Sequence, residues 1–499
     1  MDWREQYKSK LVTAEEAVKV VKPGDRVYFG FPRQPWSVTK ALEARRNELE
    51  NVEIQCEAPR VDDLWVAPEK NDAFRLVVAY HPGARMRRPL DEKRAEFLAG
   101  TFSIEGKFLK ERPGTRDYDV YLTAISPPDE NGYCSFGSEL WDKKTCALAA
   151  KTVIAEVDSS LIRTYGDNFI HISKIDYLVE YTPEMLSEED FEKQLISWPE
   201  EKKPIVREVY HTLAPDQRAE HMAYLLKGGY NEAMLKIYLN AFGFGEMTPE
   251  LKAIGENVKK LVHDGDCIEL GAAGASGWLP TLGVFDNMVD LGYYGEQAAR
   301  GVGRLIRNGV ITGKKKTFYP NKATLTSLSG FAADELLFAH MNPSIELYPS
   351  DHVVNIKNIC QNDNQVAMNT ILQMDLAGQM TCESAYGGRI IAGAGGQPEF
   401  HIGALMSKGG RAISLLHSTA EEGTISKIVP KMESGEIITI PNFFADHVVT
   451  EYGIASLLGK SNRERAEALI AIAHPDFQSE LKTEAKKMFA GLKYFLKDW

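Results

Sequence analysis

An α/β fold of two related open domains with mainly parallel sheets, its active site in the crevice between them, is what this sequence predicts. Three observations predict it. Short apolar runs of the kind that form fully buried strands alternate with helix-type segments along the chain. The composition, 44% hydrophobic and 26% charged over 499 residues, is that of a folded chain large enough for two or three cores. The halves also open alike: a helix leads to an Asp-anchored strand, Gly24-Asp25-Arg26 in the first and Gly265-Asp266-Cys267 in the second, that runs into a glycine-containing turn.

Taken in order, Thr13-Ala14-Glu15-Glu16 is a capping box, with a hydroxyl and a carboxylate placed to satisfy each other's backbone amides. Buried-type strands follow at Arg26–Phe31, Val52–Cys56, Phe74–Tyr80, Tyr118–Ile125, Thr152–Val157 and Asp176–Glu180. Thr182–Pro204 is rich in Glu and Lys, carries three prolines and has little apolar period; it reads as a connection with some local helix. The domains are therefore expected at 1–182 and 219–499, with a charged connecting segment at 183–218. Helices at Ala219–Leu239 and Pro249–His263 precede a second strand set at Asp266–Ala272, Val289–Gly292, Ala323–Leu328, Ser344–Tyr348, Gln365–Met368 and Arg411–Leu416. Ser461-Asn462-Arg463-Glu464 is a further capping box.

A net charge of −12 leaves no basic field for a nucleic-acid backbone. No apolar run approaches membrane-spanning length, and the charged first residues do not form a secretory signal, so the cytoplasm is the expected compartment. The six cysteines are scattered without a C-x-x-C, and the eleven histidines form no H-E-x-x-H; reduced thiols and no metal or prosthetic group are expected. Gly271-Ala272-Ala273-Gly274-Ala275-Ser276-Gly277, Gly393-Ala394-Gly395-Gly396 and Gly409-Gly410 are small-residue turns next to strands. Such turns aim backbone N–H groups into a cleft, or serve only as tight turns. Neither a dinucleotide nor a P-loop signature is present. Glu296, in Asp290-Leu291-Gly292-Tyr293-Tyr294-Gly295-Glu296-Gln297, falls just past a strand, at the functional rim of α/β domains. Taken alone, an acid there is more often a helix-start residue held by the dipole. Glu451, in Val449-Thr450-Glu451-Tyr452-Gly453, invites the same two readings.

Ile125-Ser126-Pro127-Pro128-Asp129-Glu130-Asn131-Gly132-Tyr133, Ala150-Lys151-Thr152-Val153-Ile154-Ala155-Glu156-Val157, Gly393-Ala394-Gly395-Gly396-Gln397, Ser426-Lys427-Ile428-Val429-Pro430, Val449-Thr450-Glu451-Tyr452-Gly453 and Ala473-His474-Pro475-Asp476-Phe477 occur in this order over nearly the whole chain. Together they resemble the acetyl-CoA hydrolase/transferase family, a branch of the class I CoA-transferases that includes 4-hydroxybutyrate and succinyl-CoA:acetate CoA-transferases. The resemblance implies transfer of coenzyme A from an acyl-CoA to a small carboxylic acid by ping-pong chemistry, with Glu296 as the covalent nucleophile. It implies oxyanion donors at the Ala272 and Gly396 amides. It further implies coenzyme A or substrate contacts from Gly393, Gly395, Gly396, Glu451 and Asn369, and a homo-oligomer, dimer or tetramer.

Two departures from the family pattern matter. Ser418-Thr419-Ala420-Glu421 has an acid where the family commonly has a lysine near coenzyme A, so Lys408, Arg411 or Lys427 is expected to compensate. Tyr293, Tyr294, Trp36 and Trp278 are expected to enlarge the aromatic surface near the cleft and favour a larger acyl group. Arg33 would hold a second carboxylate, or lie solvated in its loop. The alternatives to transfer are an acyl-CoA hydrolase on the same fold and a non-catalytic coenzyme A-binding module.

Overall fold

The computed structural model describes residues 2–30, 33–57, 73–182, 187–213 and 245–488, together with Glu232, Leu235 and Leu239. The expected Ala219–Leu239 helix lies outside the described residues apart from those three positions. The chain forms two compact units, Met1–Gly245 with Thr324–Val353, and Glu246–Ala323 with Val354–Trp499. This division is not the linear one expected at 182 and 218. Residues 324–353 join the first unit because Leu140 and Trp141 N–H donate to Thr326 O at 3.1 and 3.3 Å and Leu328 N–H to Ser138 O at 2.9 Å. Ile345–Leu347 also pairs in parallel with Tyr165–Gly166.

In the first unit the central strand is β1 (Arg26–Phe29). The chain moves to one side through β2 (Val52–Cys56), β3 (Phe74–Ala79) and β4 (Ala95–Leu98). It returns to the other side of β1 with β5 (Val120–Ile125), β6 (Thr152–Asp158) and β7 (Tyr177–Tyr181). The order is β7-β6-β5-β1-β2-β3-β4, parallel throughout. All six residues of β5 are buried, as a strand covered on both faces requires. The Thr13 capping box forms, with Glu16 N–H donating to Thr13 Oγ1 and Thr13 N–H to Glu16 Oε2, both at 3.2 Å. The charged 183–218 stretch contains the helices Glu188–Leu195 and Lys203–Thr212. Phe191 stacks on Tyr210 at 3.9 Å between ring centres, so this segment has an apolar core that its surface charge conceals in the sequence.

In the second unit the central strand is β8 (Cys267–Leu270), flanked on one side by β9 (Gly292–Tyr294). On its other side follow β10 (Gln365–Thr370), β11 (Arg411–Leu415), β12 (His447–Thr450) and β13 (Gly453–Ser456). All pair in parallel except the β12–β13 hairpin. The expected Val289–Gly292 strand begins three residues later. Asp290 has φ 55° and accepts from Thr312 Oγ1 at 2.9 Å, so a turn occupies that place and extended backbone starts at Gly292. The sequence order reverses between β8 and β10, and the carboxyl ends of these strands define the binding rim of such a sheet.

Candidate active site

At this rim the small residues are required by close backbone packing. A Cβ on Gly271 would lie 2.7 Å from Asn369 Oδ1, and one on Gly277 would lie 2.3 Å from Ala272 O. The turn is tied to β10 by Ser276 N–H donating to Thr370 Oγ1 at 3.0 Å. The Ala272 N–H has no acceptor among the described residues. It is a backbone donor at the mouth of the switch point.

Glu296 follows β9 on the same rim and is 7% exposed. Opposite it begins the helix Gln397–Met406, capped by Gly396 with Pro398 in its first turn. A Cβ on Gly396 would stand 2.2 Å from Glu296 Oε2 and 2.7 Å from Val354 Cγ1, so glycine lets the helix start approach the carboxyl without displacing either side chain. Oε2 is buried with no hydrogen-bond partner among the described residues. Burial, then the charge of Glu399 in the helix's first turn, push the Glu296 carboxyl up to about 8, while the Gly396 N–H pulls the other way. A carboxyl with an uncommitted oxygen, its ionisation moved up toward neutral pH beside a helix N-terminus, can ionise and attack an electrophile brought to it.

A second acid was not singled out from the sequence. Glu269, in β8, is 2% exposed and accepts from Asn369 Nδ2 at 2.8 Å. Burial and then the charge of Glu296 push its carboxyl well above the ordinary range, against the Asn369 hydrogen bond. The available signal was an acid inside a strand whose four residues are all buried. Glu399 also escaped notice, because an acid three residues past a helix cap reads as ordinary capping.

The structure brings Glu296, Ala272, Asn369, Gly393, Gly395 and Gly396 to strand ends or to turns on this rim; Gly395 adopts φ 57° just before the helix. Glu451 follows β12 on the same rim and accepts from Ser418 N–H at 3.0 and 3.2 Å. Lys408 is not brought there. It precedes β11, so it lies at the opposite edge of the parallel sheet, exposed and 3.5 Å from Asp363 Oδ2. Arg411 is at that same edge, donating to Leu261 O at 3.0 Å and pairing with Asp266.

The expectations for substrate-reading side chains are corrected by burial. Arg33 is 3% exposed and pairs with Glu156 at 3.0 Å and Asp158 at 2.7 Å, neither a solvated loop residue nor open to a substrate carboxylate. Tyr293 and Tyr294 are fully buried. Tyr293 donates to Gln297 O at 2.5 Å, and Tyr294 packs near Phe318, Phe400 and the Lys316 ammonium. They form core rather than pocket wall, and the inference of a larger acyl group loses that support. Glu421 lies exposed in a hairpin turn and accepts from Tyr386 Oη at 2.7 Å.

Among the described residues, Glu105, Asp142 and Cys146 bring possible metal-ligand atoms within 4.8 Å of one another. Tyr28 donates to Asp142 and Tyr118 to Glu105, and the Lys143 charge bears on Asp142. Burial first pushes Glu105 up to about 8 and Asp142 to about 6, so protons can balance this cluster's charge.

A buried glutamate on the carboxyl-end rim of a parallel sheet, faced by a glycine-capped helix, with a small-residue turn on the same rim, defines an α/β protein with an ionisable group set into its binding edge. Residues 1–187 match the N-terminal domain and residues 334–485 the C-terminal domain of the acetyl-CoA hydrolase/transferase family, and the chain belongs to that family. The 4-hydroxybutyrate coenzyme A transferase of Clostridium kluyveri is 35% identical over 98% of this chain and 100% of its own length. The structure of 4-hydroxybutyrate CoA-transferase from Porphyromonas gingivalis, 30% identical, superposes with a TM-score of 0.68 over 98% of this chain and 100% of that one. RipA from Yersinia pestis, 28% identical, gives 0.77 over 98% and 99%. A shorter stretch, 23% of this chain and 22% of the relative, is 31% identical to acetyl-CoA hydrolase of Saccharomyces cerevisiae. No helix among the described residues is long and apolar enough to cross a membrane.

Proposed function

We propose that the protein transfers coenzyme A from an acyl-CoA to a carboxylic acid through a covalent intermediate on Glu296. The observation that carries this reading is the buried Glu296 carboxyl with one oxygen uncommitted, set against the Gly396 helix start. The ionised carboxylate attacks the thioester carbonyl; the C–S bond breaks, giving an acyl-glutamyl anhydride and the coenzyme A thiolate. The thiolate attacks the glutamyl carbonyl of the anhydride, expelling the donor acid as its carboxylate and leaving a glutamyl-CoA thioester. An acceptor carboxylate reverses the two steps. The Ala272 and Gly396 N–H groups supply donors for the tetrahedral oxyanions, a contribution of about 3 kcal/mol per donor. Asn369 fixes Glu269 beside the nucleophile. The full-length similarity to 4-hydroxybutyrate coenzyme A transferase favours short acyl groups. The reading includes a cytoplasmic homodimer or homotetramer, which scattering-coupled chromatography checks.

The test is direct. Incubation with acyl-CoA without acceptor is expected to add coenzyme A, less one water, to the peptide containing Glu296. Peptide mass spectrometry that finds no such adduct, or finds it equally in Glu296→Ala, overturns the mechanism. A hydrolase reading is kept for one reason, the stretch shared with a yeast acetyl-CoA hydrolase. It shares the glutamate and differs only in letting water reach the intermediate. Initial rates separate the two: transfer requires an added carboxylate, whereas hydrolysis proceeds equally without it.

A further inference from the structure

Lys427 stands on the Glu296 rim and forms no ion pair among the described residues. Its backbone is held from two sides, N–H donating to Ser418 O at 2.9 Å and carbonyl accepting from Met374 N–H at 3.0 Å. Ser418 follows β11 and Met374 follows β10, so Lys427 sits above the carboxyl ends of those two strands. Its side chain is half-buried, yet its ammonium makes neither a hydrogen bond nor an ion pair among the described residues. The acid whose charge bears on it, Glu451, already accepts from the Ser418 amide and hydroxyl. His417 offers no negative charge, and burial and then the Lys427 charge lower its pKa. Burial pulls the Lys427 pKa down, so the cation is poorly compensated, a state that an anionic ligand relieves.

Strand spacing indicates which anion reaches it. Glu296 follows β9, which is two strands from β10 and three from β11, a lateral distance of ~10–14 Å at about 4.8 Å per strand. The second carboxylate of a four-carbon diacid lies only ~5 Å from the first, little more than one extended residue, and meets Lys427 only if the lysine side chain extends back toward Glu296. The pantetheine arm that joins a thioester to the first phosphate of coenzyme A is about as long as four extended residues, ~14 Å, and spans the gap. We propose that Lys427 binds a phosphate group of coenzyme A, an inference that rests on the transfer reading above. Of the three cations the sequence offered in place of the missing family lysine, Lys408 and Arg411 lie at the far edge of the sheet, and Lys427 alone shares the rim with the nucleophile.

The experiment is calorimetric titration of the full-length protein with desulfo-CoA and, separately, with pantetheine, which lacks the phosphates. Lys427→Met is expected to weaken desulfo-CoA binding by about tenfold to a hundredfold, the range of a charge-assisted hydrogen bond, and to shift pantetheine binding less than twofold. Lys427→Arg is expected to recover part of the loss. Unchanged desulfo-CoA affinity in Lys427→Met overturns the proposal. So does equal weakening of both ligands, which marks a structural effect, and so does a wild type that does not bind desulfo-CoA. Wild type that binds desulfo-CoA through Lys427 but transfers nothing overturns the transfer reading and leaves the phosphate site standing. Wild type that transfers, with Lys427→Met binding normally, overturns the phosphate site alone.

Discussion

Glu296→Gln is expected to abolish transfer and, at alkaline pH, to stabilise the fold. Raising a buried carboxyl from its ordinary 4.5 to about 8 disfavours its ionised form by ~5 kcal/mol. Part of that penalty belongs to the neighbouring acids and relaxes with them, so ~2–5 kcal/mol is the expected range. A folded-state pKa above the unfolded one means that the folded chain binds more protons between the two values. The associated stability is complete below about pH 4.5 and is lost as pH rises through about 8. Glutamine has nearly the shape of the protonated acid and cannot ionise. Wild type and variant should therefore melt alike near pH 5, and the variant should melt ~4–10 °C higher near pH 9.5, taking about 2 °C per kcal/mol for a unit of this size. Calorimetry at both pH values, with urea unfolding as a check, reads the difference. A melting offset that is the same at pH 5 and 9.5, or a variant less stable at alkaline pH, would refute the argument that burial holds Glu296 neutral.

The same carboxyl should appear in kinetics as an acid limb of kcat/KM that rises through about pH 8; Glu399→Gln removes the charge that helps raise it and should move that limb to lower pH. A limb unmoved in that variant would show that Glu399 does not act on the nucleophile. Gly396→Ala puts a methyl group 2.2 Å from Glu296 Oε2 and should cost 10²-fold or more in kcat, with the far-ultraviolet dichroism unchanged. Arg33→Ala strands Glu156 and Asp158 and should cost about 3–5 kcal/mol in urea unfolding; a stable variant with raised KM for dicarboxylate acceptors alone would return Arg33 to the substrate. Glu269→Gln mimics the protonated acid and should keep activity within about tenfold of wild type, less than the loss of a catalytic donor or nucleophile. Inactivity equal to that of Glu296→Gln would place a needed charge on Glu269.

The parallel sheets were legible because strands buried on both faces read as continuous apolar runs, as at Val52–Cys56 and Val120–Ile125. The edge strand Ala95–Leu98 was not, since it is only partly buried and carries a glutamate. Both capping boxes were legible because their partners lie three residues apart. Arg33 was misread for the opposite reason. Its carboxylate partners are 123 and 125 residues away, and only the β1–β5–β6 pairing brings them together. Tyr293 and Tyr294 looked like pocket residues because they precede Glu296, yet they form a strand whose three residues are all buried. Lys408 adjoins a glycine turn like those at the rim. A sequence does not tell which end of a parallel strand a turn adjoins until the strand is placed, and Lys408 precedes β11 instead of following it. Glu269 stayed hidden because an acid within a buried strand breaks no periodicity.

The pair Glu269 and Glu296 shows how the site assigns roles to two carboxyls. Both are buried, but Glu269 lies within the strand and is pushed well above the ordinary range, with the Glu296 charge adding to burial. Glu296 lies two residues past the end of its strand, with the Gly396 N–H and a helix N-terminus to favour its anion, and reaches only about 8. A helix terminus contributes ~0.3–2 kcal/mol, too little to cancel the burial of a carboxylate but enough to order two similar ones. The Glu296 anion is the better supported of the two, and its charge disfavours ionisation of Glu269. With Asn369 donating to Glu269 Oε2, the proton belongs on the other oxygen. A protonated deeper acid is a neutral neighbour, and the outer one, with an uncommitted oxygen, is the group proposed to attack.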